Sequence, residues 1–390
     1  MIRIAFFALG LLIPPVACST EVREWTDRSG RKFTAEIIAN DALRATFALP
    51  DRGKFVLPRA QLSDADAAYV VQWRAEHPLA PLVDPAKLAP WPAEVVATDI
   101  EIKLKSENAT PPAFVYEGAH FVVQSDVKLP IGVVRDLNAV LEGTRMAVMA
   151  LPFGLHSGIE GRKYRVFLFS TAEQYGLAGG PTASGGSYDG ANDRMLISLP
   201  NLGILAGGGK QAFDYQRNLF VVKHEVTHLL LRYWGESFPI WFSEGIAEVI
   251  AATPYSRGRY TFTAMDTAIR SYVQKWRNPR DTSPLYLTPP GALMAMTPDA
   301  WQARVSGQTA YELYNSAALF AYFLVRYDGA GDGAAVAGFL DALRRGVPRE
   351  KAIADYIRRG RSDEKLAADF AVFVRRRGLK FEFDSPLPSR

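Results

Sequence analysis

The sequence predicts an α+β protein in which short strands come first and a mostly helical region follows. The chain has 390 residues, and a length divided by about 150 gives an expectation of two to three domains. Strand-like segments end at Leu199, and the pattern from Asp214 onward is mostly helical. Strands followed by a run of helices are typical of the α+β class.

The composition is that of an ordinary globular protein. Hydrophobic residues make up 48 % and charged residues 22 %, which excludes global disorder and collagen-like repeats. The 45 basic and 41 acidic residues leave a net charge of +4, so we expect no nucleic-acid partner. A single cysteine excludes an intramolecular disulfide and a Cys-based zinc cluster.

Residues 1–18 predict a secretory signal peptide. Arg3 precedes an apolar stretch, Ile4–Ala17, that is too short to span a bilayer and is followed by small residues. Val16-Ala17-Cys18 resembles a bacterial lipoprotein box, which makes Cys18 the candidate for lipidation. Pro15 stands where that pattern prefers Leu, so ordinary cleavage nearby is the alternative. We expect an exported protein of the periplasm or cell envelope, free or lipid-anchored, without a transmembrane helix.

Residues 21–77 predict a small SH3-like β-barrel. Short strand-like segments alternate with turn clusters, and Ser63 is an N-cap signal for a helix through Trp73. The predicted strands are Lys32–Ile37, Leu43–Phe47 and Lys54–Leu57, with turns at Asp27–Gly30 and Pro50–Gly53. The pattern Trp-Thr-Asp-x-x-Gly-Arg, strands, Pro-x-x-x-Leu-Ser-x-x-Asp resembles the SHD1 (SLA1 homology) domain of some secreted bacterial proteins.

The second domain, residues 95–386, follows a Pro-rich linker at residues 78–94. Gly207–Lys210 is followed by Gln211 and lacks the spacing of a P-loop, so we predict a plain loop there. The remaining predictions are strands at Phe121–Ser125, Tyr164–Phe169 and Arg194–Leu199, helices at Pro130–Ala150 and Thr171–Tyr175, a Gly-rich loop at Gly179–Gly190 and a core helix over Leu313–Val325.

The segment His224-Glu225-Val226-Thr227-His228 is an HExxH sequence. Positions four apart lie on one face of a helix, so both imidazoles can reach one metal ion. Glu225 is offset by about 100° and lies beside the metal, where it can take a proton from bound water. This spacing recurs in zinc hydrolases. The apolar flanks, Val221-Val222 and Leu229–Leu231, predict the buried helix that such a site needs.

Glu244 is the candidate third ligand. A turn around Gly235, a cap at Ser237 and Pro239 predict a second helix that folds back on the first. Glu244 and Glu248 are four residues apart on one face of this helix. Glu244 can therefore bind the metal while Glu248 accepts a hydrogen bond from an imidazole N–H and fixes its tautomer.

HExxH followed by Trp-x-x-Glu-Gly-x-Ala-Glu resembles the gluzincin metallopeptidases, closest to the peptidase MA-like group that includes DUF1570 proteins. The resemblance covers Phe114–Phe383 and implies a zincin-like domain, a small sheet plus a helical subdomain, with one zinc per chain. It implies zinc ligation by His224, His228 and Glu244, with Glu225 as the base, and orientation of His224 by Glu248. The spacing to Glu244 is shorter than in the long-spaced aminopeptidases, and their Gly-x-Met-Glu-Asn pattern is absent.

The stretch Tyr311–Phe320 resembles the Tyr-x-x-Ser/Ala helix of the same family. Gluzincins often use a tyrosine hydroxyl to stabilise the oxyanion, and Tyr314 is the candidate, with Tyr311 second. The alternative is that both are core aromatics with a polar handle.

Two functions are consistent with these residues. The first is a secreted zinc peptidase that hydrolyses peptide bonds by Glu225-assisted attack of zinc-bound water, with the strand at Arg194–Leu199 pairing with an extended substrate. The second is a non-catalytic envelope binding protein with a structural or vestigial zinc site, in which the SH3-like unit holds peptide or cell-wall material. The retained Glu225 favours the first, because a structural site has no need of a base.

Overall fold

The computed structural model describes two compact units of mixed α and β structure. The first unit ends at His77 and the second begins at Pro78, with Asp41–Leu43 grouped with the second. Cys18 with the predicted signal, and the predicted loop Gly207–Lys210, lie outside the described residues. The described residues are 22–50, 53–84, 87–110, 112–155, 163–181, 184–204, 219–275, 277–278, 280–306 and 310–384.

The first unit is a four-stranded antiparallel sheet with one helix. The strands follow one another in the order β1-β2-β3-β4, and α1 comes after them. Their bounds are β1 Val22–Thr26, β2 Lys32–Asn40, β3 Arg44–Leu49, β4 Gly53–Pro58 and α1 Asp64–Glu76. The Ser63 hydroxyl accepts a hydrogen bond from the Asp66 N–H, as the cap signal predicted. Trp25 and Phe47 are fully buried at the centre, with their rings 4.7 Å apart.

A six-stranded mixed sheet forms the β part of the second unit. Its order is β10-β11-β9-β8-β7-β6, and β9 runs parallel to both of its neighbours. The strands are β6 Ile102–Glu107, β7 Phe114–Gly118, β8 Phe121–Ser125, β9 Tyr164–Phe169, β10 Gly186–Asp189 and β11 Arg194–Ser198. The helices within this region are α2 Ile131–Met149 and α3 Ala172–Leu177.

Two predictions about this sheet are wrong. The stretch predicted as the loop Gly179–Gly190 contains the strand β10, which pairs antiparallel with β11 from Gly186 opposite Ile197 to Asp189 opposite Arg194. The segment predicted at Arg194–Leu199 is a strand, β11, but β10 and β9 flank it, so the pairing expected there with an extended substrate is wrong. Among the described strands, the outer position on this side of the sheet therefore belongs to β10.

The helices of the second unit follow the sheet. Those from the middle of the chain are α4 Leu219–Leu231, α5 Ile240–Ala252, α6 Met265–Tyr272, α7 Pro290–Ala295, α8 Pro298–Val305 and α9 Ala310–Arg326. The last are α10 Ala334–Arg344, α11 Arg349–Ala352, a π-helical turn at Ile353–Arg358 and α12 Asp363–Arg376. Short strands join distant segments: β5 Glu94–Val96 with β12 Tyr255–Ser256 and β13 Arg259–Thr261, and β14 Leu285–Leu287 with β15 Phe381–Phe383.

The helices α4, α5 and α9 pack one against the next in the second unit. The helix α4 packs against α2 and α5, and α5 packs against α9. Every residue of α9 from Asn315 to Val325 is buried, which confirms the predicted core helix. Gly245 lies where α5 meets α9, and a Cβ there would lie 2.5 Å from the Ala317 carbonyl oxygen. Within the described residues, none of the helices has the length and apolar character needed to cross a membrane.

Candidate metal centre

The turn between α4 and α5 brings the HExxH helix against the helix that carries Glu244. After α4 ends at Leu231, a 3₁₀ turn at Gly235–Ser237 reverses the chain, with Gly235 at a φ of +46°. Pro239 is the N-cap of α5, and no side chain caps this end, so the predicted Ser237 cap is wrong. Proline suits the start of a helix because its fixed φ is compatible with the helix and its missing N–H would have no partner there.

Three ligand atoms converge in the cleft between these helices. The Nε2 atoms of His224 and His228 lie 3.0 Å apart. Glu244 Oε2 lies 3.3 Å from His224 Nε2 and 3.4 Å from His228 Nε2. Ligand atoms on a tetrahedral ion with bonds of about 2.0–2.1 Å are about 3.3 Å apart. The three separations therefore fit one small metal ion held between the three side chains.

The hydrogen bonding around these atoms also fits a cation. His224 Nδ1 lies 3.0 Å from Glu248 Oε1, and a carboxylate can only accept, so the imidazole proton sits on Nδ1. In the neutral ring that a metal ion requires, the lone pair on His224 Nε2 then faces Glu244. Glu244 Oε2 is buried and has no hydrogen-bond donor among the described residues. A buried carboxylate oxygen beside a lone pair needs a positive partner, and a metal ion supplies it.

Glu248 is a buried hydrogen-bond acceptor that orients the His224 ring. It is 9 % exposed. Its burial opposes ionisation, but the His224 imidazole, and then Lys275 and Tyr272, keep the pKa of this carboxyl below its usual value. An ionised Glu248 fixes both the ring orientation and the tautomer of His224.

The sequence analysis missed Ser243 as part of this site. Its hydroxyl lies 3.4 Å from His228 Nδ1, and it directly precedes Glu244 on α5. The Ser243 hydroxyl therefore lies beside Nδ1 of His228, just as the Glu248 carboxylate lies beside Nδ1 of His224. Its place in Trp-Phe-Ser-Glu is the signal that could have indicated it.

Glu225 lies outside the three-atom group and contacts the edge of the sheet. Its Oε2 accepts a hydrogen bond of 2.8 Å from the backbone N–H of Tyr188 on β10. Burial raises the pKa of this carboxyl above its usual value. Gly186 lets α4 approach β10, because a Cβ there would lie 3.3 Å from Val221 and 3.4 Å from Glu225. The contact between Glu225 and Tyr188 was not predicted from the sequence.

Tyr314 lies next to the metal ligands, and Tyr311 is 40 % exposed. The ring centroid of Tyr314 is 6.2 Å from that of His224 and 5.5 Å from that of Trp301. Burial, and then the nearby Glu244, raise the pKa of the Tyr314 hydroxyl well above its usual value, so it stays protonated and can donate a hydrogen bond. Of the two candidate tyrosines, Tyr314 is the one that contacts a metal-ligand residue.

Comparison with known proteins adds no identification: no model of a protein family matches this chain, and no curated protein matches it significantly. The function is therefore inferred from the geometry of the site.

Proposed function

We propose that the protein is a zinc-dependent peptidase of the gluzincin, peptidase MA-like type, with a zincin-like catalytic domain. The observation that carries this proposal is the convergence of His224, His228 and Glu244 with Glu225 beside them. Two imidazoles and one carboxylate are a donor set typical of catalytic zinc, which keeps a fourth position for water or substrate.

The chain's own residues supply the rest of the chemistry. A bound zinc would act as a Lewis acid, polarising a carbonyl and lowering the pKa of water. Glu225 would accept the proton of the attacking water at its carboxylate and return it to the leaving amine. The Tyr314 hydroxyl would donate a hydrogen bond to the developing oxyanion. Glu248 would hold His224 in the tautomer whose Nε2 can ligate.

The substrate would be an extended peptide paired with the edge strand β10. This replaces the pairing expected for Arg194–Leu199, because that strand already has a neighbour on each side. The N–H of Tyr188 faces away from β11 and donates to Glu225, so the outer edge of β10 lies directly beside the proposed base. An extended peptide added to this edge would gain main-chain hydrogen bonds regardless of its side chains, by replacing Glu225 at the Tyr188 N–H and Ser184 at Gly186.

A groove on the surface of the first unit supports a second role, peptide binding. This role is compatible with peptidase activity and does not require it. We propose an SH3-like, SHD1-type fold for this unit. Its surface carries a cavity of about 560 Å³. The lining combines apolar side chains with charged and polar ones: Phe33, Leu49, Pro50, Phe55, Leu57, Asp27, Arg31, Lys32 and Thr34. Arg31 and Lys32 are already paired with Asp27 and Glu24, so the apolar side chains make this groove suitable for an apolar peptide segment. If the metal site is not catalytic, this groove would be the functional surface.

The experiment that tests hydrolysis compares Glu225→Gln with wild type. Zinc per chain is measured by elemental analysis, and cleavage of a mixed peptide library by mass spectrometry. We expect about one zinc per chain in both proteins. We also expect a loss of at least about 10²-fold in turnover for the variant, because glutamine cannot accept the proton.

Two further variants control this comparison. Glu173→Gln makes the same change at an exposed position on α3 and should keep both zinc and turnover. His228→Ala should lose stoichiometric zinc. A Glu225→Gln protein that cleaves as fast as wild type would refute the peptidase proposal, and zinc without cleavage of any peptide would favour the binding role.

Export is a second part of the proposal. The signal-like residues before Cys18 predict a mature chain that begins at or near that residue. Intact-mass measurement of the protein from a bacterial envelope tests this: a lipid-sized addition indicates anchoring, and cleavage nearby without it indicates free secretion. A mature chain that keeps Met1 would contradict both.

A further inference from the structure

The second unit has a cavity that lies away from the metal centre. It has a volume of about 1200 Å³ and is formed by α6, the end of α9, the loop after the π-helical turn and α12. Tyr314 lies in the second turn of α9 and Tyr327 directly follows the helix, so a separation of thirteen residues places them about 20 Å apart. No residue assigned to the metal site lines this cavity.

The cavity carries an excess of positive charge. Five arginines and three aspartates line it. Each aspartate is already bonded to a cationic side chain within the described structure: Asp266 to Arg377, Asp328 to Arg359 and Arg361, and Asp369 to Lys365 and Arg361. Arg270 and Arg376 are exposed and make no hydrogen bond or ion pair with any described residue. Two of the five guanidinium groups that line the cavity are therefore available to an anion.

The other arginines are held in place before any ligand arrives. Asp328, whose side chain is 4 % exposed, accepts two hydrogen bonds of 2.8 Å from Arg361 and forms an ion pair of 2.6 Å with Arg359. The guanidinium of Arg377 lies 3.8 Å above the rings of both Tyr327 and Phe373. Fixed guanidinium groups lose little conformational entropy when they bind a ligand.

Two glycines with positive φ lie beside arginines of this cavity. Gly329 has a φ of +66°, and a Cβ there would lie 2.9 Å from Nη1 of Arg359. Gly378 has a φ of +67°, and a Cβ there would lie 3.5 Å from Nη1 of Arg270. A side chain at either position would be strained by the positive φ, and one at Gly329 would also crowd Arg359.

Apolar surface lies beside the charged groups. Tyr327 is 38 % exposed and Val372 is 46 % exposed, and both line the cavity. A purely polar ion would leave this surface in water, whereas an aromatic or aliphatic group attached to the anion would cover it. Arginine forks match the planar geometry of carboxylate and the oxygens of phosphate.

We propose that this cavity binds an organic oxyanion, a carboxylate or a phosphate monoester joined to an apolar group. The anionic group contacts Arg270 and Arg376, and the apolar group lies on Tyr327 and Val372. The site is independent of the metal centre, so its occupancy requires neither zinc nor peptidase activity.

Isothermal titration calorimetry with the full chain tests the proposal. The probes are phenyl phosphate and N-acetyl-phenylalanine, with N-acetyl-phenylalaninamide as the uncharged control. We expect at least one acid to bind with a Kd of about 1 mM or tighter, and the amide to bind at least about tenfold more weakly. The stronger of the two acids identifies the anionic group. His228→Ala should bind the same probe as well as wild type.

Matched arginine variants locate the binding. Arg270→Gln and Arg376→Gln should each weaken the preferred acid by about tenfold, since each removes one charge-assisted contact. Arg375→Gln makes the same change in the last turn of α12, outside this cavity, and should bind as wild type. All three arginines are exposed, so far-UV circular dichroism should be unchanged. Absence of binding by both acids, equal binding of the amide, or wild-type affinity in both cavity variants would overturn the proposal.

Discussion

Gly245 sets the distance between the two helices that carry Glu244 and Tyr314. It lies on α5 against α9, where a Cβ would be 2.5 Å from the Ala317 carbonyl oxygen and 2.8 Å from the Ala321 Cβ. The first of these is a backbone atom, so a change of rotamer cannot relieve the contact. Gly245→Ala therefore requires α5 and α9 to move apart.

Two opposing effects determine the size of the change. Alanine stabilises a helix interior by about 1 kcal/mol relative to glycine. Overpacking a well-packed core costs about 1–3 kcal/mol, and a clash with a helix backbone belongs at the upper end of that range. We expect Gly245→Ala to lower the free energy of unfolding by about 2 kcal/mol. Metal affinity should also fall, because the neighbouring Glu244 moves with α5.

Urea denaturation of the metal-free protein, followed by helical circular dichroism, measures this difference. Gly132→Ala is the matched control, because Gly132 lies in α2 and an alanine Cβ there would meet no neighbouring atom within 4 Å. That variant should be as stable as wild type or more stable by up to about 1 kcal/mol. A Gly245→Ala protein at least as stable as wild type would refute the close approach of α5 and α9.

Three further outcomes are expected. Glu248→Gln should weaken zinc binding by about 10–100-fold in chelator competition, because the carboxylate no longer orients His224; unchanged affinity would contradict that role. Tyr314→Phe should reduce peptidase turnover without changing zinc content, whereas a core role alone would leave turnover intact. The Ser29 hydroxyl, and then Arg31 and backbone N–H groups, lower the pKa of Asp27 from 3.8 to about 2. A folded-state pKa below the unfolded value stabilises the first unit above pH 3.8, and this stabilisation is lost as the pH falls towards about 2. Amide exchange in β1 and β2 should show this decline in wild type and a smaller one in Asp27→Asn.

Local chemistry made several features predictable from the sequence. The four-residue spacing of His224 and His228 places both on one helix face whatever surrounds that helix. The Ser63 cap depends on a hydroxyl and an N–H three residues apart, and the strands at Phe121–Ser125 and Tyr164–Phe169 follow from alternating apolar residues. The short turn after α4 also indicated that Glu244 would face the two histidines.

Only the tertiary structure decided which groups meet across the sheet and between distant helices. Strand order depends on pairing between segments far apart in the chain, so the edge position of β10 and its contact with Glu225 could not be deduced from local pattern. Strand β10 was not predicted from the sequence, because it begins with Gly186 and glycine gives no strand signal. The arginine-lined cavity joins residues about a hundred positions apart, such as Arg270 and Arg376. Sequence spacing predicts neighbours within one helix, whereas neighbours between helices are set by how the whole core packs.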